Sequence, residues 1–510
     1  MSTAHRVIKN TGFLYAKMAI TMFISLYTTR LVLSALGVTD FGIFNVVGGA
    51  IAMLGFLHAA MTTSTQRFMS FYKGRGDVEK QKYIFNVSSV LHFGIALALV
   101  FILLIAGYFF FNGILNIPPD RVFAAKVIYG SMILSTAFTV MSVPYEAVLN
   151  AHENMLYYSI VGILESLLKL AVALVIVYYA GDKLVLYGIL MAIIPFVIRT
   201  IMQIYCHKKY TECVLAPKRY FEKGLMKEMT SFAGWNFLEI STGMITQYGM
   251  GLVLNNYFGA VLNAAQGIAN QLSGQLMVFS NNMLKAVNPV IVKSEGDGDR
   301  NKMLRTSLMS AKFSVYMSAF FTIPFMIETP YIINLWLKNI PEWSVVFIRL
   351  QLLRVLLEQF TYPIITSLRA QGEIKNFTIY TSITNIAPLF LTWMFFHLNY
   401  PPYFLYVSWI FMWVFVKGAV ILFYGKQNCG LVLSEFTKKV ASPGFFTCVL
   451  MALVGVVPLF YMESNFFRVL VVCTISSITF VVLQYYFFLD EMEKGTISEL
   501  VGKIRKKISN

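Results

Sequence analysis

Residues 73–82 read Lys-Gly-Arg-Gly-Asp-Val-Glu-Lys-Gln-Lys, and residues 293–302 read Lys-Ser-Glu-Gly-Asp-Gly-Asp-Arg-Asn-Lys. An offset of 220 in residue number aligns these two charged loops from the first Lys to the last. Further matches keep the same order at offsets of 222 and 219: Gly12 with Gly234, Gly37 with Gly259, Pro144 with Pro363, and 149–151 with 368–370. The offset changes little along the chain, as small loop deletions would cause. The matches therefore predict two copies of one structural unit.

The composition indicates that this repeat lies in a membrane. Of the 510 residues, 57% are hydrophobic and 13% are charged, whereas soluble proteins keep about a quarter of their residues charged. A helix needs about 20 mainly apolar residues to cross the hydrocarbon core. Fourteen stretches have that length: 10–36, 41–66, 83–112, 122–147, 156–180, 184–206, 229–257, 260–290, 307–330, 345–368, 377–397, 404–424, 443–462 and 467–489. An outer-membrane barrel is excluded, because its strands would alternate over about 10 residues.

The repeat and the apolar stretches together predict an all-α polytopic membrane protein with about 14 transmembrane helices. Six spans separate the two copies, so both copies start on the same side of the membrane and the repeat is parallel. We expect two pseudo-symmetric six-helix lobes around a central cavity, with the substrate at their interface. The predicted parts are an N-terminal lobe (1–206), a cytoplasmic amphipathic linker (207–228), a C-terminal lobe (229–425), and two extra spans with a basic tail (426–510).

Lys and Arg residues are distributed unevenly between the two sets of loops. One set, together with the C-terminal tail, holds most of them, at 73–82, 207–227, 293–305, 426–439 and 503–507. The opposite set holds little beyond Arg121, Lys183, Lys338 and Arg468. The positive-inside rule therefore predicts that both termini are cytoplasmic.

The net charge of +16 follows from this topology signal, and no nucleic-acid partner is expected. No loop combines a basic stripe with aromatic stacking residues. In the linker, basic residues alternate with Tyr220, Phe221, Leu225 and Met226. This pattern predicts a helix on the cytoplasmic leaflet, with anionic lipids as its partners.

The sequence does not predict an enzyme. The longest loop on the predicted outer side, near 334–343, holds no carboxylate pair or His cluster. Residues 296–299, Gly-Asp-Gly-Asp, lack the Lys-Ser/Thr ending of a phosphate-binding loop, and Ser/His/Asp and HExxH patterns are missing. The five cysteines show neither disulfide nor zinc spacing. We therefore expect no catalytic residue, no cofactor and no metal.

Two segments resemble a known transporter family. Residues 30–45, Arg-Leu-Val-Leu-Ser-Ala-Leu-Gly-Val-Thr-Asp-Phe-Gly-Ile-Phe-Asn, are similar to the junction of spans 1 and 2 in one branch of the multidrug/oligosaccharidyl-lipid/polysaccharide exporter superfamily, the polysaccharide flippases. Residues 144–152, Pro-Tyr-Glu-Ala-Val-Leu-Asn-Ala-His, resemble the end of span 4 in the same branch. The resemblance covers residues 1 to about 425, and two parallel six-helix bundles followed by two more spans also match the superfamily.

The resemblance implies an alternating-access flippase in a bacterial inner membrane. Its substrate would be an undecaprenyl-diphosphate-linked oligosaccharide, moved from the cytoplasmic to the periplasmic leaflet for O-antigen, capsule or exopolysaccharide assembly. Polysaccharide polymerase machinery would be a further partner. Two alternatives within the superfamily stay open, a lipid II flippase and a cation-coupled multidrug exporter. The drug exporters typically carry a carboxylate in span 1, and this span has none.

Many charged residues inside the predicted spans are positive. Charges at this depth are costly and usually face the interior of a bundle. Lys and Arg neutralise phosphate oxygens, which suits a diphosphate carrier. Four cations are expected to make the cavity electropositive: Lys17, Arg30, Lys126 and Lys285.

Other intramembrane charges have a structural interpretation. Glu165 and Lys169, and likewise Arg354 and Glu358, are spaced i,i+4 and are expected to pair within one helix. Arg199, Arg349 and Lys417 lie near span ends, where their side chains can reach the interface.

Span 8 carries a stripe of amide side chains three or four residues apart. Hydrogen bonds between helices would explain it, and so would a wet cavity wall that offers donors and acceptors to sugar hydroxyls. Such a stripe cannot face lipid, where each amide would lack partners. The candidate substrate-binding residues in this span are Asn263, Gln266, Asn270 and Lys285.

At an offset of 222, Lys17 of span 1 matches Glu239 of span 7. A twofold axis along the membrane normal would place the two residues on opposing walls of the cavity. Our hypothesis is that they approach when the cytoplasmic side closes and that an incoming diphosphate competes for Lys17. The alternative is that each residue has a partner within its own lobe.

Overall fold

The computed structural model describes residues 3–52, 55–114, 117–337, 340–491 and 493–495. Within these residues the chain folds into helices and contains no β-strand, which confirms the predicted all-α class. The helices are, in chain order, α1 (Thr3–Ala52), α2 (Gly55–Gly74), α3 (Val78–Phe109), α4 (Val122–Ala151), α5 (Met155–Tyr178), α6 (Lys183–Lys209), α7 (Lys223–Phe258), α8 (Ala260–Gly296), α9 (Arg300–Ile327), α10 (Thr329–Trp336), α11 (Ser344–Glu358), α12 (Ile365–Gln371), α13 (Lys375–His397), α14 (Phe404–Trp409), α15 (Lys417–Tyr424), α16 (Leu433–Phe436), α17 (Ser442–Val456), α18 (Pro458–Tyr461) and α19 (Phe466–Leu483). Wider π-helical turns extend several of them, at Phe110–Ile114, Ile410–Val416, Gly425–Cys429, Thr437–Ala441 and Gln484–Phe488.

Ten helical segments among the described residues are long and apolar enough to cross a membrane: His5–Gly37, Val78–Asn112, Pro119–Ala151, Met155–Tyr178, Lys183–Lys209, Arg300–Ile327, Lys375–His397, Phe404–Cys429, Leu433–Tyr461 and Phe466–Phe488. They coincide with ten of the fourteen predicted spans. Of the remaining predictions, 229–257 and 260–290 fall on α7 and α8, and 345–368 falls on a helix that ends at Glu358 and resumes as α12. The prediction 41–66 includes residues 53–54, which lie outside the described residues. α7 and α8 contain 36 and 37 residues, more than a span of about 20 residues requires. Their length suits a span, and the count of fourteen stays a prediction.

The helices form two compact units. The N-terminal unit comprises Asn10–Ile240 and Val292–Asp299, and the C-terminal unit comprises Ser241–Ile291, the chain from Arg300 onward and the first residues of α1. The boundary lies inside α7, whereas the sequence suggested a second lobe starting at residue 229. The start of α7 packs on α2, where the Ser64 hydroxyl donates to the Met229 carbonyl at 2.9 Å. In the same contact the rings of Phe68 and Phe232 lie 5.9 Å apart.

The internal repeat is visible in the backbone. Left-handed residues recur at matching positions: Gly37 (φ 77°) and Gly259 (φ 82°), Gly76 (φ 70°) and Gly298 (φ 82°), and Glu153 (φ 54°) and Gly372 (φ 96°). The first two pairs stand at an offset of 222 and the third at an offset of 219. The loop alignment at an offset of 220 was therefore wrong by two positions. Both loops contain Gly-X-Gly, so only the backbone angle distinguishes their glycines.

The second copy differs from the first at one helix. α4 runs unbroken through Pro144. Its counterpart ends at Glu358 and resumes as α12 after a 3₁₀ turn at Tyr362–Ile364. That turn contains Pro363, the residue matched to Pro144 in the sequence. Because the matching Pro144 lies inside an unbroken helix, the proline alone does not account for the break.

The linker does not form the predicted amphipathic helix. Residues 210–222 form turns that pack on the N-terminal unit. The Asn86 amide donates to the Val214 carbonyl at 2.7 Å and accepts from the Ala216 N–H at 2.8 Å. His152 Nε2 lies 2.5 Å from Glu212 Oε1. These tertiary contacts satisfy backbone groups that a surface helix would have paired internally.

The last two predicted spans pack on α9 in the C-terminal unit. Buried apolar residues of α9, α17 and α19 form one cluster: Ala319, Ile323, Ile327, Met451 and Val472. Ion pairs join both ends of this contact. Lys312 Nζ binds Glu493 Oε2 at 2.7 Å, and Arg468 Nε binds Glu328 Oε1 at 2.8 Å. The hairpin is therefore an integral part of its unit.

Candidate functional site

Lys17 lies on α1 and packs against α5. Its Nζ lies 4.3 Å from the centroid of the Tyr158 ring. Gly162 gives room for the lysine stem, since a Cβ at that position would collide with Lys17 Cε. In the described part of the chain, Lys17 makes no ion pair with a carboxylate. The Lys17 ammonium group lies against the electron-rich face of an aromatic ring, which attracts it without neutralising its charge.

Arg30 and Lys126 are both exposed in the N-terminal unit. Arg30 is about 20 Å further along α1 than Lys17, at 1.5 Å per residue. Lys126 lies one turn into α4, with Nζ 5.9 Å from the Phe111 ring centroid. Neither side chain forms a salt bridge with any residue the structure describes. Three of the four cations predicted to line the cavity thus have no carboxylate partner within the described ranges.

The two intrahelical pairs are structural, as predicted. Lys169 Nζ binds Glu165 Oε1 at 2.6 Å, with both side chains about two-fifths exposed. Arg354 pairs with Glu358 and is buried, with 7% of its side chain exposed. These two cations are therefore already neutralised within their own helices.

The amide stripe of α8 is partly built into the C-terminal unit. Asn270 Oδ1 accepts a hydrogen bond from Gln351 Nε2 at 3.1 Å. Asn270 therefore links α8 to α11, as the interpretation of the stripe as hydrogen bonds between helices predicted. Gln266 is 2% exposed, and its buried Nε2 lacks a hydrogen-bond partner among the described residues. Asn263 is exposed, with its Oδ1 beside Gly251. The stripe is therefore exposed at Asn263 and forms a hydrogen bond with α11 at Asn270.

A cation and aromatic cluster continues this contact and was not predicted as a unit. Gln351 Oε1 accepts from Arg354 Nε at 3.1 Å. The Arg354 guanidinium lies 4.4 Å from the Trp409 ring and 5.1 Å from the Trp413 ring. Lys417 Nζ lies 5.4 Å from Trp413. Both Trp residues are distant from Arg354 in the sequence, so no local pattern could have indicated the contact.

Lys417 is not explained by its position near a span end. Its Nζ donates to Asn385 Oδ1 at 2.9 Å, inside the C-terminal unit. The Asn385 carbonyl in turn accepts from Thr246 Oγ1 at 2.7 Å and from Trp413 Nε1 at 3.1 Å. Lys417 therefore belongs to a polar network that joins α7, α13 and the π-helical turn after α14.

The remaining predicted residues fall in different units. Glu239 is 7% exposed in the N-terminal unit, and Lys285 is half-buried in the C-terminal unit. Both have interaction partners. Lys17, Arg30, Lys126 and Glu239 share one unit, while Asn263, Gln266, Asn270 and Lys285 share the other. The approach of Lys17 to Glu239 stays a prediction.

The segment 30–45 has a structural explanation. Gly37 breaks α1 with a left-handed backbone, and Asp40 follows. Arg121 donates to Asp40 Oδ1 at 2.8 Å through Nε and to Asp182 Oδ2 at 3.0 Å through Nη1. Burial alone would raise the pKa of Asp182, but the bonds from Arg121 and from the backbone outweigh it and hold that pKa below its ordinary value. The arginine ties the break in α1 to two other loops.

Comparison with known proteins agrees with this architecture. Residues 7–295 match the family model described as "Polysaccharide biosynthesis protein". No curated protein matches the chain significantly.

Solved structures share the fold at low sequence identity. One is an outward-facing multidrug resistance MATE family transporter of the MOP superfamily, with a TM-score of 0.73 and 14% identity, over 83% of this chain and 95% of that one. A second is a MOP superfamily transporter from Pyrococcus furiosus, with a TM-score of 0.69 and 13% identity, over 86% and 99% of the two chains. A third is MATE in complex with MaD3S, with a TM-score of 0.71 and 15% identity, over 83% and 96%.

The family model identifies the family of the chain, and the solved structures show its fold. The family model spans more than half of the chain, and the solved structures cover most of it. The chain therefore belongs to the polysaccharide biosynthesis protein family and shares its fold with solved transporters of the MOP superfamily.

Proposed function

We propose that the protein is a flippase for undecaprenyl-diphosphate-linked oligosaccharides in a bacterial inner membrane. The observation that carries this proposal is the set of cations without carboxylate partners among the described residues of the N-terminal unit, Lys17, Arg30 and Lys126. Lys17 lies about 10 Å from the start of the predicted first span (10–36), and Arg30 lies about 10 Å from its end, at 1.5 Å per residue. A charge at that depth avoids lipid and faces the protein interior or water. Such cations suit a substrate that brings its own negative charge.

The diphosphate of a lipid-linked sugar supplies that negative charge. Its oxygens accept charge-assisted hydrogen bonds from Lys and Arg, which are stronger than bonds between neutral groups. A cationic drug would be repelled by the same residues. The segment 3–37 of α1 contains no Asp or Glu that could hold a coupling cation or a cationic drug.

Pocket charge varies within this fold. The solved Pyrococcus furiosus transporter is described with the words "reverse polarity of binding pocket suggests different function". That statement concerns the other protein, but it supports using pocket charge to separate functions in the superfamily. By this criterion the cations of the present chain favour an anionic substrate.

The amide-bearing face of α8 is the proposed contact for the glycan. Asn263 is exposed, and the two N–H donors of the buried Gln266 Nε2 have no acceptor among the described residues. Amides offer both donors and acceptors, as sugar hydroxyls do. The proposed partners are therefore the lipid-linked glycan, surrounding anionic lipids and polysaccharide polymerase machinery on the periplasmic side.

A strain that lacks the protein provides the test. We expect an undecaprenyl-diphosphate-linked oligosaccharide to accumulate in the cytoplasmic leaflet while surface glycan is lost, and re-expression should reverse both changes. Mass spectrometry of the accumulated lipid identifies the substrate. Accumulation of lipid II would replace the proposal with a peptidoglycan-precursor flippase. Drug hypersensitivity without any accumulated lipid would replace it with multidrug export.

A further inference from the structure

The ends of α2 and α8 cross at two glycines within the N-terminal unit. A Cβ on Gly74 would collide with the backbone carbonyl of Lys293, and a Cβ on Gly296 would collide with the backbone carbonyl of Phe71. Gly74 and Gly296 stand at the repeat offset of 222, and so do Phe71 and Lys293. Each contact is therefore the repeat counterpart of the other. The absence of both side chains lets the two backbones meet directly.

An ion pair joins the same end of α8 to the turn that follows α4. Lys293 Nζ binds Glu153 Oε1 at 2.6 Å, with 23% of the lysine side chain and 5% of the glutamate side chain exposed. Lys293 thus contributes its backbone to the crossing and its side chain to the pair. Because α4 packs on α2, α8 cannot move away from these two helices at this point without stretching the bond to Glu153.

The backbone of Glu153 is strained in a way that its repeat counterpart avoids. Glu153 has φ of 54°, and the matching residue in the second copy is Gly372, with φ of 96°. Glycine adopts this conformation without a steric penalty, whereas a residue with a Cβ does not. Such strain tends to be kept where a side chain has a function. The carboxylate bound to Lys293 is that function here.

We propose that Glu153 is a positioning residue that keeps the α2–α8 crossing closed through Lys293, and that opening the crossing exposes Lys293 to the anionic headgroup of the substrate. A diphosphate and a carboxylate compete for the same ammonium group, since both offer charged oxygen acceptors. The diphosphate part rests on the proposed function, whereas the closing role of Glu153 does not. The repeat counterpart of Lys293 is Phe71, which has no charge, so symmetry does not duplicate this ion pair.

Spin labels next to the crossing provide the test. Arg75 and Asp297 are exposed and directly follow Gly74 and Gly296, so labelled Arg75→Cys and Asp297→Cys report the separation of the two helix ends. In nanodiscs we expect the short distance to dominate. Glu153→Gln should raise the separated population about tenfold, as the loss of one charged hydrogen bond would. Glu153→Gly should do the same, while keeping the left-handed turn that Gly372 already has.

Two controls separate closure from general destabilisation. Lys312→Gln breaks an ion pair of similar length and burial in the other unit, and it should leave the label distance unchanged. The exchange Glu153→Lys with Lys293→Glu should restore the short distance. The closing role is wrong if Glu153→Gln and Glu153→Gly both keep the wild-type distances, or if Lys312→Gln shifts them as much.

The second half of the proposal is tested with defined lipids. Undecaprenyl diphosphate should increase the separated population of the wild type, whereas uncharged undecaprenol should not. Lys293→Gln should start more open and respond less to the diphosphate. An equal response to both lipids would overturn the headgroup contact at Lys293. The accumulated-lipid experiment is independent of these distances, so a failure of the proposed function is distinguishable from a failure of the crossing.

Discussion

Gly37 and Gly259 both have a positive φ, of 77° and 82°, at the repeat offset of 222. Gly37 breaks α1, and Gly259 separates α7 from α8. An added Cβ would meet no atom within 4 Å at either position. Glycine is therefore required by the backbone angle and not by close packing.

Gly37→Ala and Gly259→Ala should destabilise the protein by similar amounts. A Cβ in the left-handed region costs roughly 1–2 kcal/mol, and nothing else changes at either site. Gly94→Ala is the matched control, because Gly94 is also open but lies inside α3 with helical angles. That change should be neutral or stabilising by about 0.5–1 kcal/mol. Thermal unfolding in detergent compares the three variants, and equal behaviour of all three would contradict the explanation.

The sequence was sufficient for the all-α class and for the existence of the repeat, because apolar length and matched glycines are local signals. It was insufficient for the register of the repeated loop. Gly74 and Gly76 match Gly296 and Gly298, but a slip of two positions still aligns one glycine with another. The register is settled by the positive φ of Gly76 and Gly298 and by the close backbone contacts at Gly74 and Gly296. Neither property can be read from the residue types.

Some contacts of the candidate site could likewise be predicted from the sequence, and others could not. The Arg354/Glu358 pair was predictable, since both partners lie on one helix face. The stacking of Arg354 on Trp409 and Trp413 depends on tertiary packing and was missed. The linker was misassigned because its aromatic residues suggested an amphipathic helix, whereas Tyr220 packs edge-on against Tyr83, with ring centroids 5.5 Å apart. Periodicity predicts a buried face but not the backbone conformation that buries it.

Membrane orientation is predicted by the distribution of Lys and Arg. A reporter fused after Asp77, Lys218 or Lys302 should indicate cytoplasm. One fused after Asp120 or Asp182 should indicate periplasm. Paired alkaline phosphatase and green fluorescent protein fusions make the measurement. A periplasmic signal at Lys218 would overturn the parallel repeat, since the two copies would then start on opposite sides.

Arg468→Gln should strongly destabilise the C-terminal unit. Glu328 has none of its side chain exposed, and it binds Arg468 at 2.8 and 3.0 Å. Removing the arginine leaves a buried carboxylate without its cation, which costs about 3–5 kcal/mol. The double variant Glu328→Gln with Arg468→Gln should recover part of that loss. A double-mutant cycle by thermal unfolding gives the coupling, and strictly additive effects would show that the pair is not coupled.

The linker contact should weaken in acid. Burial would raise the pKa of Glu212, but the hydrogen bond from His152, a backbone hydrogen bond and the charges of His152 and Lys73 together outweigh it and hold that pKa below its ordinary value of 4.5. A depressed carboxyl pKa adds stability above the ordinary value, and this contribution disappears as the pH falls through the lower folded-state pKa. The melting temperatures of the wild type and Glu212→Gln should therefore differ near pH 7 and converge below about pH 4. A difference that is constant with pH would show that the carboxylate charge is not involved.

Neutral replacement of the interior cations should reduce export without reducing the amount of protein. Lys17, Arg30 and Lys126 make no ion pair among the described residues, so a glutamine at each removes charge without leaving a carboxylate unpaired. A hydrogen bond to a charged group contributes about 1.5–3 kcal/mol, so each change should lower transport of the lipid-linked glycan about tenfold or more. Lys285→Gln completes the predicted set.

Lys169→Gln is the control for these cation variants, because Glu165 already neutralises that lysine at 2.6 Å. Surface glycan and accumulated lipid are measured in each strain at matched protein levels. Normal export by all four glutamine variants would show that a diphosphate site built from these residues is wrong. A loss in Lys169→Gln equal to the loss in Lys17→Gln would show that any intramembrane charge has the same effect. A loss confined to the cations without carboxylate partners requires that the substrate itself carries the compensating negative charge.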